Sequence, residues 1–87
     1  MVHQIKNRCL TVTMAEHGAE LQSILSRDGT EYLWQGDAAY WTDRAPNLFP
    51  YVARLTDSRY YLDGQLYQMD IHGLAPYLDF VVKEHGW

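Results

Sequence analysis

Arg54 and His72 are the two residues in this sequence best equipped for proton or polyol chemistry. They lie in Asn47-Leu48-Phe49-Pro50-Tyr51-Val52-Ala53-Arg54-Leu55 and in Ile71-His72-Gly73-Leu74-Ala75. A guanidinium offers fixed donors, and an imidazole exchanges protons near neutral pH. A buried cation and a histidine on neighbouring strands would therefore suit a neutral polyol. Gly73 lets backbone or ligand come close to the His72 ring. Both residues also have a structural reading. A histidine beside an apolar run is commonly a satisfied structural residue, and an inward-pointing Arg54 needs partners, with Asp57 and Asp63 the nearest carboxylates in sequence. The remaining histidines, His3, His17 and His85, fall near the ends or in a turn and are expected at the solvated surface. Asp28, Asp37, Asp63 and Glu84 sit at turns, caps or exposed ends, and no two of them form an acid/base pair.

The elements that must hold Arg54 and His72 are strands. Leu10, Val12 and Met14 alternate with Cys9, Thr11 and Thr13, the period of a half-buried strand. Glu16-His17-Gly18 reads as a turn. Ala19 to Ser26 fits helical spacing through Leu21, Ile24 and Leu25, and strand spacing through Ala19, Leu21, Ser23 and Leu25. The strand is preferred, because Asp28-Gly29 and the β-rich run Thr30-Glu31-Tyr32-Leu33-Trp34 follow at once. An Asp-Gly pair between two such runs predicts a primed hairpin turn with positive φ at both central residues. Asp37 can cap one short helical turn through Ala38 and Ala39, with Tyr40 and Trp41 folding back. Pro46 and Pro50 make residues 48 to 55 an irregular or edge strand kinked near Pro50. Tyr60-Tyr61-Leu62 and Gln65-Leu66-Tyr67 flank Asp63-Gly64 as a second hairpin. Phe80-Val81-Val82-Lys83-Glu84 reads as a last strand. Short strands at this spacing predict an all-β antiparallel sandwich or barrel. Several apolar strand faces lack a second sheet within this length, as in one part of a larger sandwich.

Composition narrows the function classes. A chain of 87 residues buries only about 60–65% of its unfolded surface. Its single cysteine, Cys9, rules out an intrachain disulfide. No Cys/His cluster has zinc-ligand spacing, and no cofactor motif occurs. A lone thiol fits a reducing, cytoplasmic setting, with Cys9 expected as a small buried apolar residue beside Leu10. A net charge of -4 without any basic run argues against nucleic acid. No apolar stretch reaches the ~18 residues that span a membrane. Seven tyrosines and three tryptophans favour strands. They suit the C–H faces of a sugar as well as an ordinary β-rich core.

The order of several segments resembles the aldose 1-epimerase (galactose mutarotase-like) family. The resemblance is carried by Thr11-Val12-Thr13, His17-Gly18-Ala19-Glu20-Leu21, Asp28-Gly29-Thr30-Glu31-Tyr32-Leu33-Trp34 and Asp37-Ala38-Ala39-Tyr40-Trp41. It continues through Ala45-Pro46-Asn47-Leu48-Phe49-Pro50, Arg54-Leu55 and His72-Gly73-Leu74-Ala75. It implies that residues 1–87 are the N-terminal part of a single antiparallel β-sandwich domain, the mutarotase supersandwich. The implied reaction interconverts the α and β anomers of a free aldose. A glutamate takes the anomeric hydroxyl proton and a histidine protonates the ring oxygen. Arg54 matches the family's substrate-binding arginine. His72 matches the first of two active-site histidines, making it the expected catalytic and substrate-binding residue. The second histidine and the glutamate have no counterpart in these residues, which implies a chain inactive alone. Ala53 stands where a glycine is common. Pro76 replaces a frequent arginine, and Tyr77-Leu78 replace polar residues, so the loop after His72 is the least conforming part. The alternatives are a non-catalytic carbohydrate-binding module, or a fragment that self-associates through exposed edge strands. A relative acting on phosphorylated hexoses is disfavoured by the lack of a basic cluster.

Overall fold

The computed structural model of the chain describes residues 1–84. Three strands, β1 (Val2–Lys6), β2 (Leu10–Ala15) and β3 (Leu21–Ser26), form an antiparallel sheet in the order β1-β2-β3. A separate antiparallel hairpin joins β4 (Arg59–Leu62) to β5 (Gln65–Gln68). No α-helix occurs among the described residues; the helical segments are two 3-10 turns at Thr56–Ser58 and Ala75–Tyr77. Accordingly no helix is long and apolar enough to cross a membrane.

Turn chemistry explains why these strands form where they do. Asn7 Oδ1 accepts the N–H groups of Cys9 (2.7 Å) and Leu10 (2.9 Å), an Asx turn that reverses the chain from β1 into β2. Cys9 therefore lies at the tip of a connection and is exposed, which corrects the expectation of a buried thiol. Within residues 19–26, Leu21–Ser26 form the strand β3, while Ala19 lies in the preceding turn with φ +49°. The β3 register steps from Thr13 opposite Ser23 to Met14 opposite Leu21, leaving Gln22 as a bulge. Asp63-Gly64 forms the expected primed turn, with φ of +51° and +78°.

Asp28-Gly29 behaves differently. Only Gly29 takes a positive φ, and Ser26 N–H bonds Thr30 O at 2.8 Å around a three-residue loop. The run after it does not continue as a strand. Glu31 Oε2 takes the N–H of Ile24 (2.8 Å) and of Leu33 (3.0 Å), so a carboxylate replaces the ladder's backbone acceptors. Asp37 caps a single turn, its Oδ1 accepting Ala39 N–H at 2.9 Å. Trp34 Nε1 reaches Trp41 O at 2.7 Å, and Tyr40 folds edge-on against Trp34. The final strand expected over residues 80–84 is absent. Phe80 N–H bonds Glu16 O at 2.8 Å, and beyond it the segment runs without a ladder partner among the described residues.

The two sheets do not pack extensively on one another. Ala75, at 7% exposure, is the one buried apolar side chain among the described residues. The three-stranded sheet is half-buried at best, and Val2, Ile5, Leu10 and Leu25 are exposed along it.

Candidate functional site

His72 occupies the turn after Asp70-Ile71, closed by Gly73 N–H to Asp70 O at 3.0 Å. Two tyrosines brace this turn from outside. The Tyr51 hydroxyl donates to Asp70 O at 2.5 Å, with Met69 O at 3.2 Å. The Tyr77 hydroxyl donates to Ile71 O at 2.6 Å. Burial, with Asp70 nearby, pushes the Tyr51 hydroxyl above its ordinary pKa of 10.0, so it stays a neutral donor. On the other side the chain at Phe49 lies in a parallel bridge with Gly73. Phe49 O accepts Leu74 N–H (2.7 Å) and Ala75 N–H (3.1 Å), and Phe49 N–H reaches His72 O at 3.2 Å. This approach requires glycine at 73. Its φ is +86°, and a Cβ there would collide with the Phe49 carbonyl oxygen and lie 2.7 Å from Pro50 Cδ.

The link between the two candidate segments is Ala53. Its N–H points at His72 Nδ1 at 2.9 Å, and its carbonyl accepts His72 N–H at 2.8 Å. Both residues have left-handed backbone, φ +73° for Ala53 and +67° for His72. Arg54 follows Ala53 directly. The structure thus joins the Arg54 and His72 segments, but by loops rather than strands. Arg54 is exposed, not buried. Neither carboxylate expected to pair with it does so, and Asp57 pairs with Arg59 instead, at 3.6 Å. The physical reason is that the clasp turns the chain at Ala53 and directs the next residue outward. His72 is half-buried, its ring held from one side only.

The unusual residues after His72 fit their places. Pro76 sits in the first turn of the short 3-10 segment, where no backbone donor is needed. Its carbonyl packs against Gly18, whose own φ is +70°. Tyr77 contributes the hydroxyl that braces Ile71. These supports went unread in the sequence, since a tyrosine hydroxyl aimed at a distant carbonyl leaves no periodic signal. Asn47 is a further one, its Nδ2 donating to Gly18 O (2.9 Å) and Ala19 O (2.8 Å).

The other histidines are partnered. His3 Nε2 lies 2.9 Å from Glu16 Oε2 and is half-buried, and His17 Nδ1 lies 3.0 Å from Asp79 Oδ1 on the surface. His85 lies outside the described residues. A groove of about 460 Å³ lined by His3, Ile5, Glu16, Phe80 and Val82 runs along β1, and it includes neither Arg54 nor His72. Among the described residues no cluster of three or more metal-ligating side chains occurs.

Known proteins resemble this chain over its full extent. The Aldose 1-epimerase family profile matches residues 1–85. Protein LacX of Lactococcus lactis subsp. lactis, in its plasmid and chromosomal versions, is 36% identical over 87 residues, all of this chain and 26% of LacX. A galactose mutarotase related enzyme from Lactobacillus acidophilus superposes with a TM-score of 0.93 at 38% identity, over 99% of this chain and 29% of that one. A galactose mutarotase-like protein from Lactobacillus casei gives 0.93 at 37%, over 99% and 30%. The chain therefore spans about a quarter of the length of the curated relatives it matches. The antiparallel arrangement is that of the mutarotase-like β-sandwich, as the order of motifs implied. Sequence profile and backbone geometry agree that this chain belongs to the aldose 1-epimerase family.

Proposed function

We propose that residues 1–87 form the N-terminal part of a single mutarotase domain and supply one wall of its sugar site. Arg54 donates to the hydroxyls of a free aldose, and His72 contacts the sugar near the reacting ring as binding and catalytic residue. The observation that carries this reading is the Ala53 clasp, which ties the backbone beside Arg54 to the His72 ring at 2.9 Å. A guanidinium that is exposed and has no carboxylate partner among the described residues suits a neutral polyol, because no ion pair engages its donors. The sequence has no basic cluster of the kind a sugar phosphate would require. The setting is cytoplasmic.

Anomer interconversion needs a base for the anomeric hydroxyl and a donor for the ring oxygen, both within hydrogen-bond reach. The family's glutamate and second histidine have no counterpart among these 87 residues. The chain alone is therefore a binding surface without turnover. Two measurements test this. Titration with galactose is expected to move the Arg54 and His72 resonances saturably, and Arg54→Ala to weaken binding about tenfold, the worth of one charged hydrogen bond. Polarimetry of freshly dissolved α-anomer is expected to follow the buffer rate. Unmoved site resonances would overturn the sugar site, and clear acceleration would overturn the inactivity of the chain alone.

A further inference from the structure

We propose that the Ala53 peptide group is a positioning group that commits His72 to a single tautomer, so that the ring meets the sugar as a hydrogen-bond donor through Nε2. This rests on the sugar-site reading of Arg54 and His72. The Ala53 N–H lies 2.9 Å from His72 Nδ1. A backbone amide has a proton to donate and no lone pair to offer, so Nδ1 is the accepting nitrogen. A neutral imidazole that accepts at Nδ1 carries its own proton on Nε2. The ring then cannot take a proton through Nε2. It can only donate there, to a sugar oxygen, and the base for the anomeric hydroxyl must be another residue.

The surrounding geometry holds this arrangement in place. The return bond from His72 N–H to Ala53 O, at 2.8 Å, makes the clasp reciprocal and fixes the backbone from which the ring projects. Ala53 and His72 are both left-handed, at φ +73° and +67°, which non-glycine residues adopt only where neighbouring structure over-determines them. The neighbouring structure is present. Tyr51 and Tyr77 hold the carbonyls of Asp70 and Ile71, and Phe49 holds the backbone on either side of Gly73. The alanine methyl group, where the family often has glycine, further restricts the backbone that presents the amide. Because Arg54 is the next residue, the same clasp sets where the guanidinium starts relative to the ring.

The test is nitrogen NMR of the 87-residue chain without sugar. The expected result is a His72 ring with Nδ1 unprotonated and Nε2 protonated, and a scalar coupling across the hydrogen bond between the Ala53 amide nitrogen and Nδ1. The coupling reads the clasp alone; the sugar-facing role is read by adding galactose, which is expected to shift the Nε2–H proton saturably, whereas a merely structural histidine would leave that proton unmoved. Ala53→Gly keeps the amide and is expected to keep both signatures. Ala53→Pro removes the donor, and proline cannot adopt φ +73°, so the coupling in the unsubstituted chain is the deciding measurement. A protonated Nδ1, a mixture of tautomers or a missing coupling overturns the proposal. A galactose titration that moves no site resonance overturns the sugar site instead, leaving the clasp intact.

Discussion

Gly73 is the residue on which the site geometry depends most directly. Its neighbour Phe49 approaches so closely that an added Cβ would meet the carbonyl oxygen and lie 2.6 Å from the carbonyl carbon. Gly64, in the β4–β5 turn, has nearly the same backbone, φ +78°, but open space around the position of a Cβ. The pair separates backbone strain from steric overlap. Gly64→Ala should lose about 1 kcal/mol, the ordinary penalty of a left-handed alanine. Gly73→Ala adds a collision with backbone that cannot swing aside, so its loss should exceed that by about 1–3 kcal/mol. Denaturant unfolding of the two variants checks this, and equal losses would count against the close approach at Phe49. The sequence showed that a glycine after His72 would permit close approach. It did not show what approaches.

Among the elements, the path after β3 is governed by one carboxylate. Glu31 is held below its ordinary value of 4.5 first by the Ser23 hydroxyl, then by the Ile24 amide, with smaller help from the Leu33 amide and the Arg44 charge. A carboxyl whose folded pKa is depressed stabilises the fold when ionised. That contribution is complete above about pH 4.5 and disappears as pH falls through the lower folded value. Asp28, lowered chiefly by the Ser26 hydroxyl in the adjoining loop, acts in the same direction. Circular dichroism across pH 2 to 6 should therefore show acid destabilisation of the chain, shallower in Glu31→Gln. Identical acid profiles would mean that Glu31 does not pin the segment. The bulge at Gln22 belongs to the same construction. Its carbonyl accepts Arg44 Nη1 at 2.7 Å and Gln35 Nε2 at 2.8 Å, which secures the irregular segment against β3.

At the scale of the whole molecule the dominant fact is exposed apolar surface. A compact domain of this length has a radius of gyration of about 12 Å, whereas this chain has 16.4 Å and extends over 54 × 36 × 18 Å. Tyr61, Leu62, Phe80 and Val81 all face outward, Val81 at 78% exposure. Among the described residues β1 is an edge strand with unpaired backbone groups on one side, which readily templates pairing with another chain. Size-exclusion chromatography with light scattering of the 87-residue chain should therefore give a mass above that of the monomer, rising with concentration. A stable monomer at high concentration would contradict this.

What could be read from the sequence was whatever acts over a few residues. The alternation in Leu10 to Met14 specified β2, Asp63-Gly64 specified a turn with two left-handed residues, and Asp37 specified its own capped turn. The ordered motifs specified the family and the antiparallel fold, because they mark turns and close approaches that the fold repeats. Local signals failed where a distant group competed. The Glu31 side chain diverted the run after Gly29, Asn7 brought Cys9 to the surface, and residues 80–84 had strand composition but form no ladder among the described residues. Only the tertiary structure decided how Arg54 and His72 are joined. The joining bond runs from a backbone amide to a ring nitrogen across 19 positions in sequence. Such a bond depends on how loops are folded over one another, and no periodicity or composition along the chain records it.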